Sequence, residues 1–281
     1  MRLGTIRIKS ASRLGVILLA GVGASLSAQQ TRVGNIDGHA AAGQKEYRRY
    51  CVGCHGQDGD GLGENAQWID PKPRDFTAAV FKCRSTPTGT LPTDDDLGNS
   101  IHRGFVTTNM PSWLPLSGQV RADLVAYIKT FSPRWSQGHG TPIAVPSETP
   151  ATVESMLRGR ALFQKMECWK CHGPAGHGDG PSASTLTDSK DNPIRPYNFA
   201  TGTRFKCGET NQDLYRVFMT GLDGTPMPSF ADNLKPGEAW DLVHFLRTLQ
   251  PLKTPEAVAW KAWFKSHPNT LTPIGPEAQQ P

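Results

Sequence analysis

Apart from one segment near its start, the sequence contains no long run of apolar residues. That segment, residues 14–28, reads LGVILLAGVGASLSA, and the head before it has four charges, all of them basic: Arg2, Arg7, Lys9 and Arg13. A helix that crosses a bilayer needs about 20 apolar residues, so we do not interpret this segment as a membrane anchor. A basic head, a short apolar middle and small residues at its end predict a secretory signal peptide over residues 1–28, cleaved near residues 25–28. We therefore expect a periplasmic protein with no membrane span in the mature chain.

A strong net charge is also missing from the predicted mature chain. The whole sequence carries 30 Lys+Arg against 25 Asp+Glu, a formal charge of +5. Removing the four basic residues of the signal peptide leaves 26 against 25, a net charge of +1. Proteins that bind nucleic acid usually present a basic surface to the phosphates, so we expect no nucleic-acid partner.

The sequence does contain an internal repeat, with an offset near 117 residues. Four landmarks recur in the same order and at nearly the same spacing: Cys51-Val-Gly-Cys54-His55 with Cys168-Trp-Lys-Cys171-His172, Gly43-x-x-x-Tyr47 with Gly159-x-x-x-Phe163, TTNMPSW (107–113) with GTPMPSF (224–230), and DLVAYIKTF (123–131) with DLVHFLRTL (241–249). This period is much longer than that of solenoid repeats, so we interpret it as two copies of one small domain.

The composition between the two copies is that of a linker. Residues 132–152 are rich in Pro, Gly, Ser and Thr and poor in apolar residues. We therefore predict, after the signal peptide, a first domain, a linker, a second domain and a C-terminal tail with a short helix: 29–131, 132–152, 153–250 and 251–281.

Each half is predicted to be mostly helical. Apolar residues recur at helical spacing in the last segment of each half, and a candidate first helix runs into each cysteine pair: 119–131, 237–249, 40–51 and 153–168. Between these helices each half has about 65 residues dense in Gly, Pro, Asp and Thr, and such a stretch cannot build a core by itself. The predicted fold class is all-α, with long loops that need a large apolar group to wrap around.

Two cysteines separated by two residues are compatible with zinc, with a thiol–disulfide cycle or with covalent haem. Zinc needs four ligands, usually from a second Cys or His pair, and neither half has such a pair near its motif. A thioredoxin-like pair belongs to a βαβ pattern, and no strand pattern precedes either motif. A histidine directly after the second cysteine, in both copies, is typical of haem attachment. We predict two covalently bound haem c groups, with these thioether cysteines and proximal histidines: Cys51, Cys54 and His55, and Cys168, Cys171 and His172.

The second axial ligand of each iron should recur in both halves. Met110 follows His55 by 55 residues and Met227 follows His172 by 55 residues. In each case Pro comes next, which holds the methionine in extended backbone on a stiff loop. If these methionines only filled a core, there would be no reason for them to have equal spacing and matched flanking residues. We predict Met110 and Met227 as axial ligands, and His102 is kept as a rival for the first iron.

The combination of G-x-x-x-[YF], CxxCH, a Met-Pro loop and a final D-L-V-x-[YF] helix resembles class I cytochrome c, in tandem as in di-haem cytochromes of the cytochrome c4 type. The resemblance covers residues about 39–131 and 153–250. It implies two tandem cytochrome c domains, each with its first helix crossing its last: Gly43 and Tyr47 near Tyr127, and Gly159 and Phe163 near Phe245. The segments between these helices resemble elaborations in di-haem subunits that serve larger respiratory oxidoreductases.

Two of the six cysteines lie outside the CxxCH motifs. Cys83 and Cys207 each follow Phe-Lys and are counterparts in the repeat, and leftover thiols of exported chains tend to pair. Two similar domains that face each other across a pseudo-twofold axis bring equivalent surface points together on that axis. Our hypothesis is therefore a disulfide between Cys83 and Cys207 that joins the domains. The alternative is that one thiolate binds an iron and lowers its potential.

An iron held by His on one side and Met on the other has no open position for a substrate, and thioether ligation raises its potential. We therefore predict a non-enzymatic protein that passes single electrons between a redox-protein donor and a redox-protein acceptor. One alternative is a haem enzyme, either a di-haem peroxidase with an iron that loses its sixth ligand or a thiosulfate-oxidising cytochrome with a Cys ligand. Another is a subunit whose haems wire a larger oxidoreductase complex.

Overall fold

The computed structural model describes residues 30–202, 204–251, 254–268 and 270–275. The predicted signal peptide and its cleavage site therefore lie outside the described residues. A two-residue antiparallel hairpin, β1 (Arg32–Val33) and β2 (Ile36–Asp37), opens the described part. The helices that follow are α1 (Ala40–Tyr50), α2 (Val52–His55), α3 (Asp94–Arg103), α4 (Gly118–Lys129), α5 (Val153–Lys165), α6 (Trp169–His172), α7 (Asn211–Thr220), α8 (Pro236–Thr248) and α9 (Pro255–Ser266).

The all-α prediction is confirmed, since almost no strand occurs in the part of the chain that the structure describes. The helices expected at the start and end of each half are present as α1, α4, α5 and α8. Helices α3 and α7, which lie inside the loop-rich stretches, were not predicted. Each begins with a capping box: Thr93 with Asp96, and Thr210 with Asp213, exchange hydrogen bonds between side chain and backbone.

In each half the first helix crosses the last helix at a glycine. A Cβ on Gly43 would lie 1.9 Å from the Asp123 carbonyl oxygen, and a Cβ on Gly159 would lie 1.9 Å from the Asp241 carbonyl oxygen. Only glycine lets the two backbones approach this closely. The aromatic residue one turn later packs beside the crossing, with Tyr47–Tyr127 ring centroids 5.2 Å apart and Phe163–Phe245 centroids 5.5 Å apart. The crossing that the resemblance implied is confirmed in both halves.

Each half has its own hydrophobic core. The first core is built on α1, α3 and α4 and includes Tyr47, Leu97 and Leu124. The second is built on α5, α7 and α8 and includes Phe163, Leu214, Trp240 and Leu242. Two separate cores are what two domains of this size would form.

The two halves are joined by a covalent bond and by buried polar contacts, which together we call the seam. Cys83 and Cys207 form a disulfide with a Cα–Cα distance of 5.1 Å, across 124 residues of sequence. The Arg84 guanidinium, whose side chain is fully buried, lies 2.7 Å from an Asp223 carboxylate oxygen. Lys190 and Asp75 form an ion pair nearer the surface, 2.5 Å between Nζ and Oδ2. The Cys83–Cys207 contact that the hypothesis required is therefore present in the structure.

The C-terminal tail returns to the second half. Its helix α9 has Thr254 as N-cap, and Trp260 packs edge-on against Phe245 of α8, with centroids 6.1 Å apart. Gln164 of α5 exchanges two hydrogen bonds with the backbone of Gly275, each 2.9 Å. No helix among residues 30–202, 204–251, 254–268 and 270–275 has the length and apolar character to cross a bilayer.

Candidate functional site

Each CxxCH motif forms a short helix directly after the first long helix of its half. The chain turns at the first cysteine, and α2 and α6 then carry the second cysteine and the histidine. The His55 Nδ1 lies 2.9 Å from the Arg74 carbonyl oxygen, and the His172 Nδ1 lies 3.0 Å from the Tyr197 carbonyl oxygen. A carbonyl oxygen only accepts, so each Nδ1 donates its proton and the lone pair is left on Nε2. This hydrogen bond orients a histidine to bind a metal through Nε2.

Burial tunes the charge state of these side chains. It lowers the pKa of both His55 and His172, which keeps the imidazoles neutral and able to bind iron. Burial, with a further contribution from Cys54, raises the pKa of Cys51 to about 12, and burial raises the pKa of Cys168 to about 12. Reactive redox cysteines have a lowered pKa. The raised values argue against a thiol–disulfide cycle, because little thiolate is present at neutral pH.

The first half contains a cavity of about 220 Å³ around its motif. The residues predicted to hold the first haem all line it: Cys51, Cys54, His55 and Met110. Aromatic and aliphatic side chains form most of the remaining wall, and Phe76 stacks on His55 with centroids 4.5 Å apart and planes at 18°. An apolar wall with a neutral nitrogen and a thioether sulfur fits the donor set of a haem iron.

The methionine loops of the two halves are built in the same way. Met110 donates its N–H to Thr108 Oγ1 at 3.1 Å, and Met227 donates to Thr225 Oγ1 at 3.2 Å. Each methionine carbonyl accepts a hydrogen bond of 3.0 Å from a residue five positions earlier, Phe105 or Leu222.

A glycine closes each methionine loop. Gly104 has a φ of +63° and Gly221 a φ of +67°. A Cβ on either would collide with the carbonyl carbon of the proline that follows the methionine, at 2.4 Å from Pro111 and 2.7 Å from Pro228. Both the backbone conformation and the close approach therefore require glycine.

The rival ligand His102 is positioned differently from Met110. Among the described residues that line the first cavity, Met110 is present and His102 is not. The His102 carbonyl accepts a hydrogen bond of 2.7 Å from Ser112, and its counterpart Met219 accepts one of 2.8 Å from Ser229. These two residues therefore support the methionine loops through their backbones.

In the second half the predicted ligands pack against one core. Cys168 and Met227 both lie against the cluster that contains Phe199 and Trp169. His172 contacts Phe199, with centroids 5.0 Å apart and planes at 41°. The elements that carry Cys171, His172 and Met227 therefore repeat those of the first half.

Cationic side chains that were not predicted as site residues also line the cavity of the first half. Arg74, Lys82 and Lys206 line it, and Lys206 comes from the second half. The repeat of Phe-Lys-Cys in both halves was the sequence signal for Lys82 and Lys206, but only its cysteines were assigned a role. A haem carries two propionates in addition to its apolar ring, so an apolar cavity with cations in its wall fits the group.

Two family comparisons cover the two halves. Residues 38–128 match the family described as cytochrome C oxidase, cbb3-type, subunit III, and residues 156–250 match the family described as cytochrome c. A chain in the solved structure of the Kuenenia stuttgartiensis reducing HAO-like protein complex is 40% identical, with a TM-score of 0.74. The match covers 76% of the present chain and 97% of that chain. No curated protein matches the sequence.

The fold and the CxxCH sites together define a tandem of class I cytochrome c domains. The chain belongs to the cytochrome c family. Membership implies covalently bound haem c and a role in electron transfer.

Proposed function

We propose that the protein is an exported di-haem cytochrome whose two irons are held by His55 with Met110 and by His172 with Met227. Covalent attachment would use Cys51 and Cys54 in the first domain, residues 29–131, and Cys168 and Cys171 in the second, residues 153–250. The observation that carries the proposal is the first cavity, whose wall contains both cysteines, the histidine and the methionine. The matching hydrogen bonds of the two methionine loops, from each methionine N–H to a threonine Oγ1, support the same ligation in the second half.

The protein residues would make electron transfer fast by holding the iron environment fixed. Bound haem c supplies a one-electron iron couple. The carbonyls of Arg74 and Tyr197 orient the histidines, and the looped backbones around Met110 and Met227 hold the thioethers. If a histidine and a methionine hold each iron, no position on it would be left for a substrate, which favours a carrier over a peroxidase.

We propose further that the chain serves as a haem subunit in a larger oxidoreductase assembly with redox-protein partners. The support is the 40% identity to a chain of the Kuenenia stuttgartiensis reducing HAO-like protein complex, over 97% of that chain. The signal-peptide features of residues 1–28 support a periplasmic location for such an assembly. A free carrier that shuttles between donor and acceptor is the alternative. Gel filtration of the protein from its native source distinguishes the two, because a carrier elutes at its own mass.

Spectroscopy tests the ligation. The purified protein should give two haems per chain in a pyridine haemochrome assay. Its oxidised form should show the near-infrared methionine–iron band at the intensity of two sites. Met110→Ala and Met227→Ala should each remove half of that band, whereas Met219→Ala, at a matched position outside the proposed ligand set, should leave it. A band unchanged in both ligand variants would refute the proposal.

A further inference from the structure

The second half closes the cavity of the first. Five residues of the second half line it: Asp188, Ser189, Lys190, Asn192 and Lys206. The segment that contains Ser189 is attached to the second methionine loop, because Ser189 donates its N–H to the Gly224 carbonyl at 3.1 Å. The first site is therefore not complete within its own domain.

The cations in this wall differ in whether their charge is neutralised. Lys190 is paired with Asp75, 2.5 Å from Nζ to Oδ2. The negative charge of Asp188, which also lines the cavity, acts on Arg74 and Lys82, and that of Asp75 acts on Arg74. No carboxylate among the described residues offsets the charge of Lys206 in this way. These three side chains are partly buried and line one cavity, so their mutual repulsion is poorly screened.

The pKa shifts of the two lysines also reflect the excess of positive charge in this wall. Burial, followed by the neighbouring charges of Lys206 and Arg74, lowers the pKa of Lys82 to about 8. Burial and Arg74 lower the pKa of Lys206. An anion beside partly buried cations offsets the cost of removing their charge from water, so the lowered pKa values favour an anionic group at this wall.

The disulfide fixes where the two lysines are. Lys82 precedes Cys83 and Lys206 precedes Cys207, and these two cysteines are bonded. The bond therefore holds one ammonium group from each domain beside the same cavity. The only anionic groups that a haem brings are its propionates, and charge-assisted hydrogen bonds to carboxylates are among the strongest in proteins.

We propose that Lys206 of the second domain binds a haem propionate of the first domain, together with Lys82 and Arg74, so that one haem site is completed by both domains. This inference rests on the proposed haem occupancy of the first half. It makes Lys206 a cofactor-binding residue that acts across the seam. Removing its positive charge should stabilise the oxidised iron of the first half and lower the midpoint potential of that haem.

The test compares Lys206→Gln with Arg204→Gln. Arg204 is two residues away, its side chain is 65% exposed, and it pairs with Glu209, so its loss controls for a general charge effect. At a fixed applied potential, K206Q should lower the ratio of reduced to oxidised first haem about tenfold. This corresponds to a decrease of about 59 mV in the midpoint potential of a one-electron couple. R204Q should leave both potentials unchanged, and Lys206→Arg should restore the wild-type value.

The first haem is identified by repeating the titration in a Met227→His background, which moves the second haem to lower potential. Haem content and the near-infrared band are recorded for every variant. Two haems per chain with no potential shift in K206Q, or equal shifts in K206Q and R204Q, would overturn this inference and leave the proposed function intact. Fewer than two haems in the wild type would instead remove the proposed function.

A measurement on the unaltered protein covers the case in which K206Q does not mature. Reductive methylation of the folded holoprotein, followed by peptide mass spectrometry, should fully modify the exposed Lys165 and leave Lys206 unmodified. Complete modification of Lys206 under those conditions would contradict its binding to a propionate.

Discussion

The two halves share the elements that would hold a haem and differ in what surrounds them. Histidine hydrogen bonds, methionine loops and glycine helix crossings are the same in both. The first cavity, however, receives five side chains from the second half. In the second half the position of Ala126 is taken by His244, which is fully buried and bonded to Ser155 at 2.9 Å and to Glu148 of the predicted linker at 3.2 Å. The duplication has thus kept the proposed iron-binding parts in both halves, whereas the residues around them differ.

The largest effect should come from removing one attachment site at a time. Cys51→Ser with Cys54→Ser should abolish haem binding in the first half and leave the second haem with its spectrum and potential unchanged. Cys168→Ser with Cys171→Ser should abolish the second haem and also shift the potential of the first, because second-half side chains line the first cavity. Haemochrome assay and redox titration measure both. If neither double variant changed the potential of the remaining haem, the halves would be independent.

The disulfide should contribute the next largest effect. Replacing Cys83 and Cys207 together by serine should lower the free energy of unfolding by about 5 kcal/mol in the chain-entropy model, since the closed loop spans 124 residues. Chemical denaturation under non-reducing conditions measures the change. Wild-type protein treated with a thiol reductant is the control, and it should approach the variant. A variant as stable as the oxidised wild type would mean that the noncovalent seam alone fixes the halves.

The helix crossings offer a test in which the halves should behave alike. Gly43→Ala and Gly159→Ala each place a Cβ 1.9 Å from a carbonyl oxygen of the crossing helix, so the helices must separate. We expect a loss of about 3 kcal/mol in each case, by overpacking. Gly237→Ala is the matched control, because a Cβ there meets no atom within 4 Å. Thermal unfolding measures the stability of all three variants. A loss of stability in only one of the two crossing variants would mean that the other core tolerates the separation of its helices.

The smallest effect should come from the outer ion pair of the seam. The pKa of Asp75 is lowered: burial raises it, but hydrogen bonds from Lys190, Thr77 and the Ala78 N–H lower it by more. A carboxylate with a lowered pKa contributes stability above its unfolded value, and this contribution is lost as the pH falls through the folded pKa. Lys190→Ala should therefore cost at most about 1 kcal/mol at neutral pH, because the lysine is half exposed.

The control for this small effect is pH itself. Below the folded pKa of Asp75, wild type and Lys190→Ala should unfold at the same denaturant concentration. A difference that persists there would come from lost packing of the lysine stem and not from its charge.

Much of the fold could be predicted from the sequence because the repeat and the helical periodicity are local signals. The crossings at Gly43 and Gly159 followed from the resemblance. Helices α3 and α7 were missed, since Gly, Pro and Asp around them indicated loops. The Thr-x-x-Asp spacing at Thr93 and Thr210 was the signal for their starts.

The cavity wall was harder to predict than the motifs inside it. The CxxCH runs and Met-Pro loops each lie within one half, and their spacing indicates their role. Lys206 lies in the first cavity only because the second half folds against the first, and no pattern within either half encodes that contact. Contacts between distant segments depend on the whole packing arrangement, which sequence periodicity does not report.

The disulfide beside two open cysteine pairs has a consequence for how the protein matures. The oxidation that joins Cys83 to Cys207 would also close Cys51 with Cys54, or Cys168 with Cys171, and thiols so close in sequence meet more readily than thiols 124 residues apart. Six thiols allow 15 complete pairings. Assembly of the proposed holoprotein therefore needs an order of events, in which a reductant keeps the neighbouring thiols open until the porphyrin has arrived while the distant pair becomes oxidised.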